Sequence, residues 1–548
     1  MAIAATFLSP ASFSVPGDLT TEFVAGVRVL ADCGPDGLLL GTVTGATASD
    51  DATTVTLQMD AGPLTATLAG VRHGNDVPDS LCNHAAQHAP GGRDPLATAS
   101  IDAPGLVELA TTAEAVAGAD AARVAPVAVA RQQFVSWMRD ALGEFPGLPR
   151  PTFNLHAPSL ALPTAATFTR ASAATRINAA GLVAGVAMDA PRFDHDPLTG
   201  LCRGLLIEGP ATNQITYAEA LDNAAWTKTR AGITADAATA PDGAATADKL
   251  AEDATAANSH YVARTMTFTA GVTYTISWHV QPGERTSCQV NFPAAFIPAN
   301  AVFDLQTGLA TPGGSALSAR MEALPDGWWR VSVTGTAIAT GSGLVVCFLR
   351  LGAASTYTGD GASGLRLWGA QLEEGTYPTS YLPTAAVSQV RAADLCTANL
   401  ADIGFNPREG TLFVDARVAA GLPVTAAVAC QIDSGATESS RIRFVVTSTG
   451  LLSTVVALSE ASQCNFPLRT LSARSEFKAA LSWRQNDFKA ACNGGSVFTS
   501  ASGSLPADLT TLRMGGNISA SYAWNGVIRH LAYFPRALTA EQLQAITL

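Results

Sequence analysis

Asp194 and Asp196, in the stretch DHDPLTG, are close enough in sequence to act as paired acids or to share a cation. The same residues have a simpler use, which is preferred: Asp196, Pro197 and Gly200 make a β-turn in which an aspartate oxygen accepts backbone N–H groups. His84 and His88 stand four apart, a spacing that would place both imidazoles on one face of a helix as metal ligands. Pro90, Gly91 and Gly92 stop such a helix and no third ligand is near, so a metal site there needs a ring of histidines on a threefold axis. Sugar recognition makes a third demand: an aromatic face stacked on the apolar side of a pyranose, beside groups that bond its hydroxyls. Trp226, Tyr261, Trp329, Tyr357, Trp483, Tyr522 and Trp524 are the candidates, while Trp278 and Trp368 lie in alternating strands and are assigned to the core. There is no GxSxG elbow, HExxH helix or phosphate-binding loop. No catalytic residue is assigned, and the chain reads as a binder rather than an enzyme.

The elements that must carry these residues are mainly strands. VTYTISWHV alternates strictly, with Val272, Tyr274, Ile276, Trp278 and Val280 on one face and Thr273, Thr275, Ser277 and His279 on the other. TTVTLQM from Thr53 has the same rhythm, Asn493-Gly494 is a type I′ hairpin signal, and Thr539 caps a terminal helix. The best helix runs from Pro126 to Leu142, with Phe134, Trp137, Met138, Ala141 and Leu142 on one stripe and Gly143 as its stop. Alone it is too short to be stable. Its stripe, at Phe134, Trp137, Met138 and Leu142, is expected to pack on the same helix of neighbouring subunits and to make a homotrimer, the alternative being packing against its own chain.

Composition narrows the partners. Charged residues are 14% of the 548, against about 25% in an ordinary soluble domain. The net charge is −12, and no run of Lys and Arg could neutralise a series of phosphates, so nucleic acid is not an expected partner. No apolar stretch reaches the roughly 20 residues of a membrane span, and no membrane insertion is expected. The N-terminal sequence lacks the basic start and apolar core of a signal peptide. The nine cysteines are scattered, without a CxxC, and odd in number; they are expected to be small buried residues in a protein made in a reducing cytoplasm.

The segment Ile101–Gln132 resembles the short repeat of bacteriophage tail fibres, with Gly105, Glu108, Ala110, Thr111, Glu114, Gly118, Asp120, Arg123 and Pro126 at its turn, cap and breaker places. The stretch from Ala166 to Ile215, with FTRxSxAT, PRFDHDP, GLLIE and a following Thr-Asn, resembles a further phage-fibre element. GWWR at 327–330 and WGAQLEEGTYPTSYLPT resemble carbohydrate-binding-module-like jelly rolls, and the C-terminal pattern resembles concanavalin A-like (laminin-G-like) domains. The resemblances imply a mainly β protein: a small virion-attachment β module (1–75), a linker (76–100), a fibre repeat with the trimerisation helix (101–145), a β-rich connector (146–215), then a jelly-roll domain (216–385) and a laminin-G-like domain (386–548), two β-sandwiches in series. They imply a receptor-binding tail fibre, made in the host cytoplasm and carried on the virion, that joins tail or baseplate proteins by its N-terminus and host-surface glycans by its C-terminal half. A head or collar decoration fibre is the alternative. A depolymerase tailspike ranks behind it, because that function needs only two suitably spaced carboxylates but usually goes with a solenoid period this chain lacks. A structural calcium fits either sandwich family, although no EF-hand-like loop is present. Because the sequence shows no basic patch, adhesion is expected to rest on aromatic stacking and neutral hydrogen bonds rather than on charge.

Overall fold

The computed structural model describes residues 3–49, 51–60, 62–73, 139, 143–145, 147–418 and 420–548. They fall into two compact units, Met1–Val127 and Ala128–Leu548. The histidine pair His84 and His88, the fibre repeat and the helix stripe Phe134, Trp137, Met138 and Leu142 lie outside the described residues.

In the first unit, seven antiparallel strands form one sheet in the spatial order Ile3–Ala4, Gly70–His73, Arg28–Asp32, Leu38–Ser49, Ala52–Met59, Ser12–Pro16 and Thr6–Ser9. Alternation decides which side chains turn inward: Thr53, Val55 and Leu57 are buried along Ala52–Met59 while Thr56 and Gln58 face out. Phe13, Phe23, Val29, Val43 and Val71 complete the core.

The second unit holds two antiparallel sandwiches. One has two six-stranded sheets built from residues 227–374. The strand Thr273–Pro282 lies inside one of these sheets, and Tyr274, Ile276, Trp278 and Val280 enter its core as their alternation predicts. Its second face is buried as well, at Thr275, Ser277 and His279.

The other sandwich is larger and is not confined to the C-terminal residues. Its eight-stranded sheet includes Phe153–His156, Arg192–His195 and Cys202–Ile207, and its seven-stranded sheet has Ala166–Thr169 at one edge. The segment expected to be a separate connector, 146–215, therefore supplies strands to both sheets of the last sandwich. Leu205–Ile207 and Phe153–His156 pair with successive parts of Gly526–Phe534, and Ala166–Thr169 pairs with Leu395–Asn399. Without them those strand edges would leave backbone N–H and C=O groups unpaired. The sandwiches are thus nested rather than serial: the chain leaves the larger one through Ala211–Asn213, builds the smaller one, and returns through Gln389–Arg391. These two short strands pair antiparallel as a neck.

Smaller features follow the sequence. Asn493 and Gly494 both adopt positive φ, and the turn is closed by the Gly495 N–H donating to the Cys492 carbonyl. Thr539 caps the helix Ala540–Thr547 in a capping box with Gln542. Leu543 and Ile546 of that helix pack on Phe413, Ala480 and Ala491. Arg139, from the expected helix 126–142, is buried and donates to the carbonyls of Ile546 and Leu548 within its own chain. Every described cysteine is a free thiol, and all but half-buried Cys202 are buried.

Candidate functional site

At the neck, an ion-pair network occupies space that would otherwise need apolar packing. Arg170 and Arg192 both pair with Asp394, Arg192 also reaches Glu208 at 2.7 Å, and Arg391 reaches Glu208 at 3.1 Å. The arginine side chains are fully buried. Burial alone would raise the pKa of Glu208, but Arg391 and Arg192 outweigh it and hold the carboxyl at about 2. Ser380 completes the junction by donating its N–H and hydroxyl to Glu208. Asn213 donates to the carbonyls of Ala370 and Leu382 and accepts from the N–H groups of Ile215 and Leu372.

Above this network, the two sandwiches enclose a cleft of about 170 Å3. Five arginines line it, Arg176, Arg203, Arg330, Arg417 and Arg474, against three carboxyls, Asp194, Glu208 and Glu322. Glu322 comes from the strand Ser318–Ala323 of the smaller sandwich and faces arginines of the larger one. Arg203 lies 3.5 Å and Arg474 3.4 Å from its two oxygens. Among the described residues Arg417 makes a single hydrogen bond, donating through Nε to the carbonyl of Arg474 at 3.3 Å. His279, at the back of the cleft, is buried and faces Arg330; burial first and that charge second push its pKa down to about 3, so it is neutral. Tyr377 adds a half-buried aromatic ring. It lies over Gly421, where a Cβ would come within 2.3 Å of the ring.

Asp194 and Asp196 serve different ends. The Asp196 side chain accepts the N–H groups of Leu198 and Thr199 at 3.0 and 2.9 Å as expected, but the Gly200 N–H donates to its backbone carbonyl, which closes a five-residue α-turn in place of the expected β-turn. Burial opposes its ionisation, but these donors and Arg203 prevail and bring its pKa to about 2. Asp194 instead faces the cleft, accepts the Ile177 N–H at 2.8 Å, and is raised to about 6, chiefly by loss of solvent. Arg203 opposes the rise, while Glu322 and Glu208 add to it. A carboxyl raised on folding stabilises the folded state fully below its unfolded pKa near 4, and that contribution is lost as the pH rises through about 6. Asp194→Asn keeps an acceptor for Ile177 without the charge. It is expected to stabilise the unit by about 1–2 kcal/mol at pH 8 and to change little at pH 4, taking the two-unit rise at about 1.4 kcal/mol per unit and reducing it for partial solvent access. Urea unfolding of both proteins at the two pH values measures the difference.

The aromatic candidates do not gather into one site. Four are core residues, so their assignment to sugar stacking is corrected. Trp226 is buried against Trp278, and its indole N–H donates to the Tyr217 carbonyl. Trp483 is stacked on Tyr533, and Trp524 packs edge-on to Phe477. Tyr357 donates its hydroxyl to Glu252 beneath the Arg285 guanidinium. Tyr261, Trp329 and Tyr522 are half-buried, at separate places, and none lines the cleft. No signal in the aromatic pattern pointed to the cleft, because its arginines come from positions as far apart as 176 and 474. Among the described residues no group of three or more His, Cys, Asp and Glu side chains is arranged to hold a metal ion, so the calcium expectation finds no such group there. No described helix is long and apolar enough to cross a membrane.

The fold and the cleft define a two-sandwich β protein with a charged junction. No protein-family model matches the chain, and no curated protein matches it in sequence. Among solved structures it is similar to the CBM40 domain of the Ruminococcus gnavus IT-sialidase, at 14% identity over 26% of this chain and 84% of that one, with a TM-score of 0.24. It is similar to the NanB sialidase of Streptococcus pneumoniae at 10% identity over 28% of this chain and 26% of that one, with a TM-score of 0.24. A heptameric SAP-like pentraxin of Limulus polyphemus gives 15% identity over 26% and 71%, with a TM-score of 0.19. At these scores the likenesses carry no inference about function.

Proposed function

We propose that the chain is a bacteriophage receptor-binding tail fibre that adsorbs to host-surface glycans through its sandwich unit. The observation that carries the glycan reading is the cleft between the sandwiches, a concave site of about 170 Å3 lined by charged hydrogen-bonding groups and two tyrosines, Tyr377 and Tyr381. The fibre reading rests on the resemblance of Ile101–Gln132 to fibre repeats and on the phage-type element from Ala166 to Ile215. In this reading the N-terminal β module joins tail or baseplate proteins, and segment 126–142 makes the homotrimer. Three copies of a weak site would raise avidity by orders of magnitude over one.

Two measurements test the proposal. The purified full-length protein is expected to bind host cells and a subset of glycans on an array; binding to neither would favour a decoration fibre with a structural role. Light scattering is expected to give three times the chain mass, and replacing Phe134 and Met138 with Asp is expected to reduce it to that of one chain while leaving the sandwiches folded. A monomer mass for the unmutated protein would remove the trimer.

A further inference from the structure

We propose that the cleft between the sandwiches binds an anionic saccharide, whose acidic group is held by Arg203, Arg417 and Arg474. The proposal rests on the glycan-binding reading and narrows the ligand class. Its first ground is local charge. The chain as a whole carries −12, yet five arginines face three carboxyls at this one place, with Asp196 pairing Arg203 as a fourth, and His279 adds no charge. Bringing guanidinium groups together in a partly buried site costs free energy, and an anion placed among them recovers it.

The second ground is geometry. Charge-assisted N–H···O contacts are normally about 2.7–2.9 Å, whereas Arg203 and Arg474 stand 3.5 and 3.4 Å from Glu322. Glu322 is shared loosely between the two, and although Arg203 also donates to Asp196 at 2.9 Å, Glu322 is the one carboxylate within 4.0 Å of Arg474 among the described residues. Arg417 has no carboxylate within 4.0 Å among the described residues, and only its Nε makes a hydrogen bond. Its two terminal nitrogens are available as the planar fork that suits a carboxylate or phosphate. The Nε of Arg203, like that of Arg330 in the same cleft, is buried with no hydrogen-bond partner among the described residues. These nitrogens are held by separate elements: Arg203 by Cys202–Ile207, Arg417 by the end of Glu409–Arg417, and Arg474 by a turn in which its own φ is +62°. A strand-anchored and turn-anchored set needs little rearrangement to receive an anion.

Size selects the rest of the ligand. A cleft of about 170 Å3 is smaller than the roughly 300 Å3 at which drug-sized pockets begin. It suits one terminal sugar carrying an acidic group; Tyr377 and Asn525 are also among the lining residues. A nucleic-acid strand would need an extended basic track, and the sequence has none.

The full-length protein, titrated by calorimetry with a sialylated trisaccharide, a glucuronate disaccharide, mannose 6-phosphate and neutral lactose, tests the proposal. At least one acidic sugar is expected to bind about tenfold more tightly than lactose, with affinity falling between about 50 and about 500 mM NaCl. The responding acid separates carboxylate from phosphate as the recognised group. Arg417→Gln is expected to lower that affinity roughly tenfold with an unchanged melting temperature, and Arg417→Lys to lower it less. Should Arg417→Gln not fold, Arg474→Gln carries the same expectation. Equal binding of lactose and the acids, or binding of a single-stranded oligonucleotide in their place, overturns the anionic proposal and leaves the glycan reading to its own array test. Binding of none of the sugars, with array and cells also negative, overturns both.

Discussion

Asp394→Ala is expected to destabilise the sandwich unit by about 3–5 kcal/mol, the usual result of removing one partner from a buried ion pair. Both carboxylate oxygens are in use: one accepts from Arg170 at 3.1 Å, the other from Arg192 and from the Glu208 N–H, the latter at 2.9 Å. The side chains of Asp394, Arg170 and Arg192 are all fully buried. Alanine would leave Arg192 with Glu208 as its remaining carboxylate. Arg170 would be left with the carbonyls of Ser172, Val186, Ala187 and Ala190 and no carboxylate. An uncompensated buried guanidinium is the main source of the loss, which does not mean that the intact network is worth that much against an apolar junction. Asp394→Asn keeps an acceptor for one arginine and should cost less. Urea unfolding followed by tryptophan fluorescence gives both values, and a change below about 0.5 kcal/mol for the alanine variant would show that the network does not hold the neck.

The same network shows what is and is not legible in the sequence. The motifs FTR, PRFDHDP, GLLIE and the following Thr-Asn are recognisable as one element from the residues alone, and their charged and amide members Arg170, Arg192, Asp194, Glu208 and Asn213 all meet at the neck or the cleft beside it. Their partners Ser380, Arg391 and Asp394 lie about 170–220 residues further on. Nothing in local spacing can join two such sets, because the segment between them folds as a complete sandwich. The strand class is legible wherever alternation is long, as in Thr273–Pro282. It is not legible for Phe153–His156 or Ala166–Thr169, four-residue strands whose place is fixed by the edges they cover and not by their own periodicity. The arginine cleft is hidden for a different reason: a basic patch shows in sequence only as a run of charge, and these arginines come singly from separate strands and turns. Sequence alone therefore favours neutral, aromatic adhesion where the fold assembles a cationic pocket.

Trp483→Ala is expected to cost the larger sandwich about 3–5 kcal/mol, within the range for large aromatic truncations in a packed core, and to leave ligand binding per folded molecule unchanged. Trp483 is 1% exposed and stacks on Tyr533 with ring centroids 6.1 Å apart. Across the ladder it is in register with Gly410, where a Cβ would come within 2.5 Å of the indole, so this strand pair is built as a glycine covered by a tryptophan. Removing the ring leaves a cavity that neither strand can close, since each is hydrogen-bonded on both sides within its sheet. Trp226→Ala should act likewise on the smaller sandwich, where the ring lies 5.3 Å from Trp278 and its N–H is bonded to the Tyr217 carbonyl at 2.8 Å. Half-buried Trp329 should cost less. Unfolding curves paired with titration of the best-bound sugar at low temperature separate the two roles. A Trp483→Ala protein of unaltered stability that had lost binding would return this residue to the ligand site; a destabilised protein that still binds would assign tryptophan to the fold and leave recognition to the cleft.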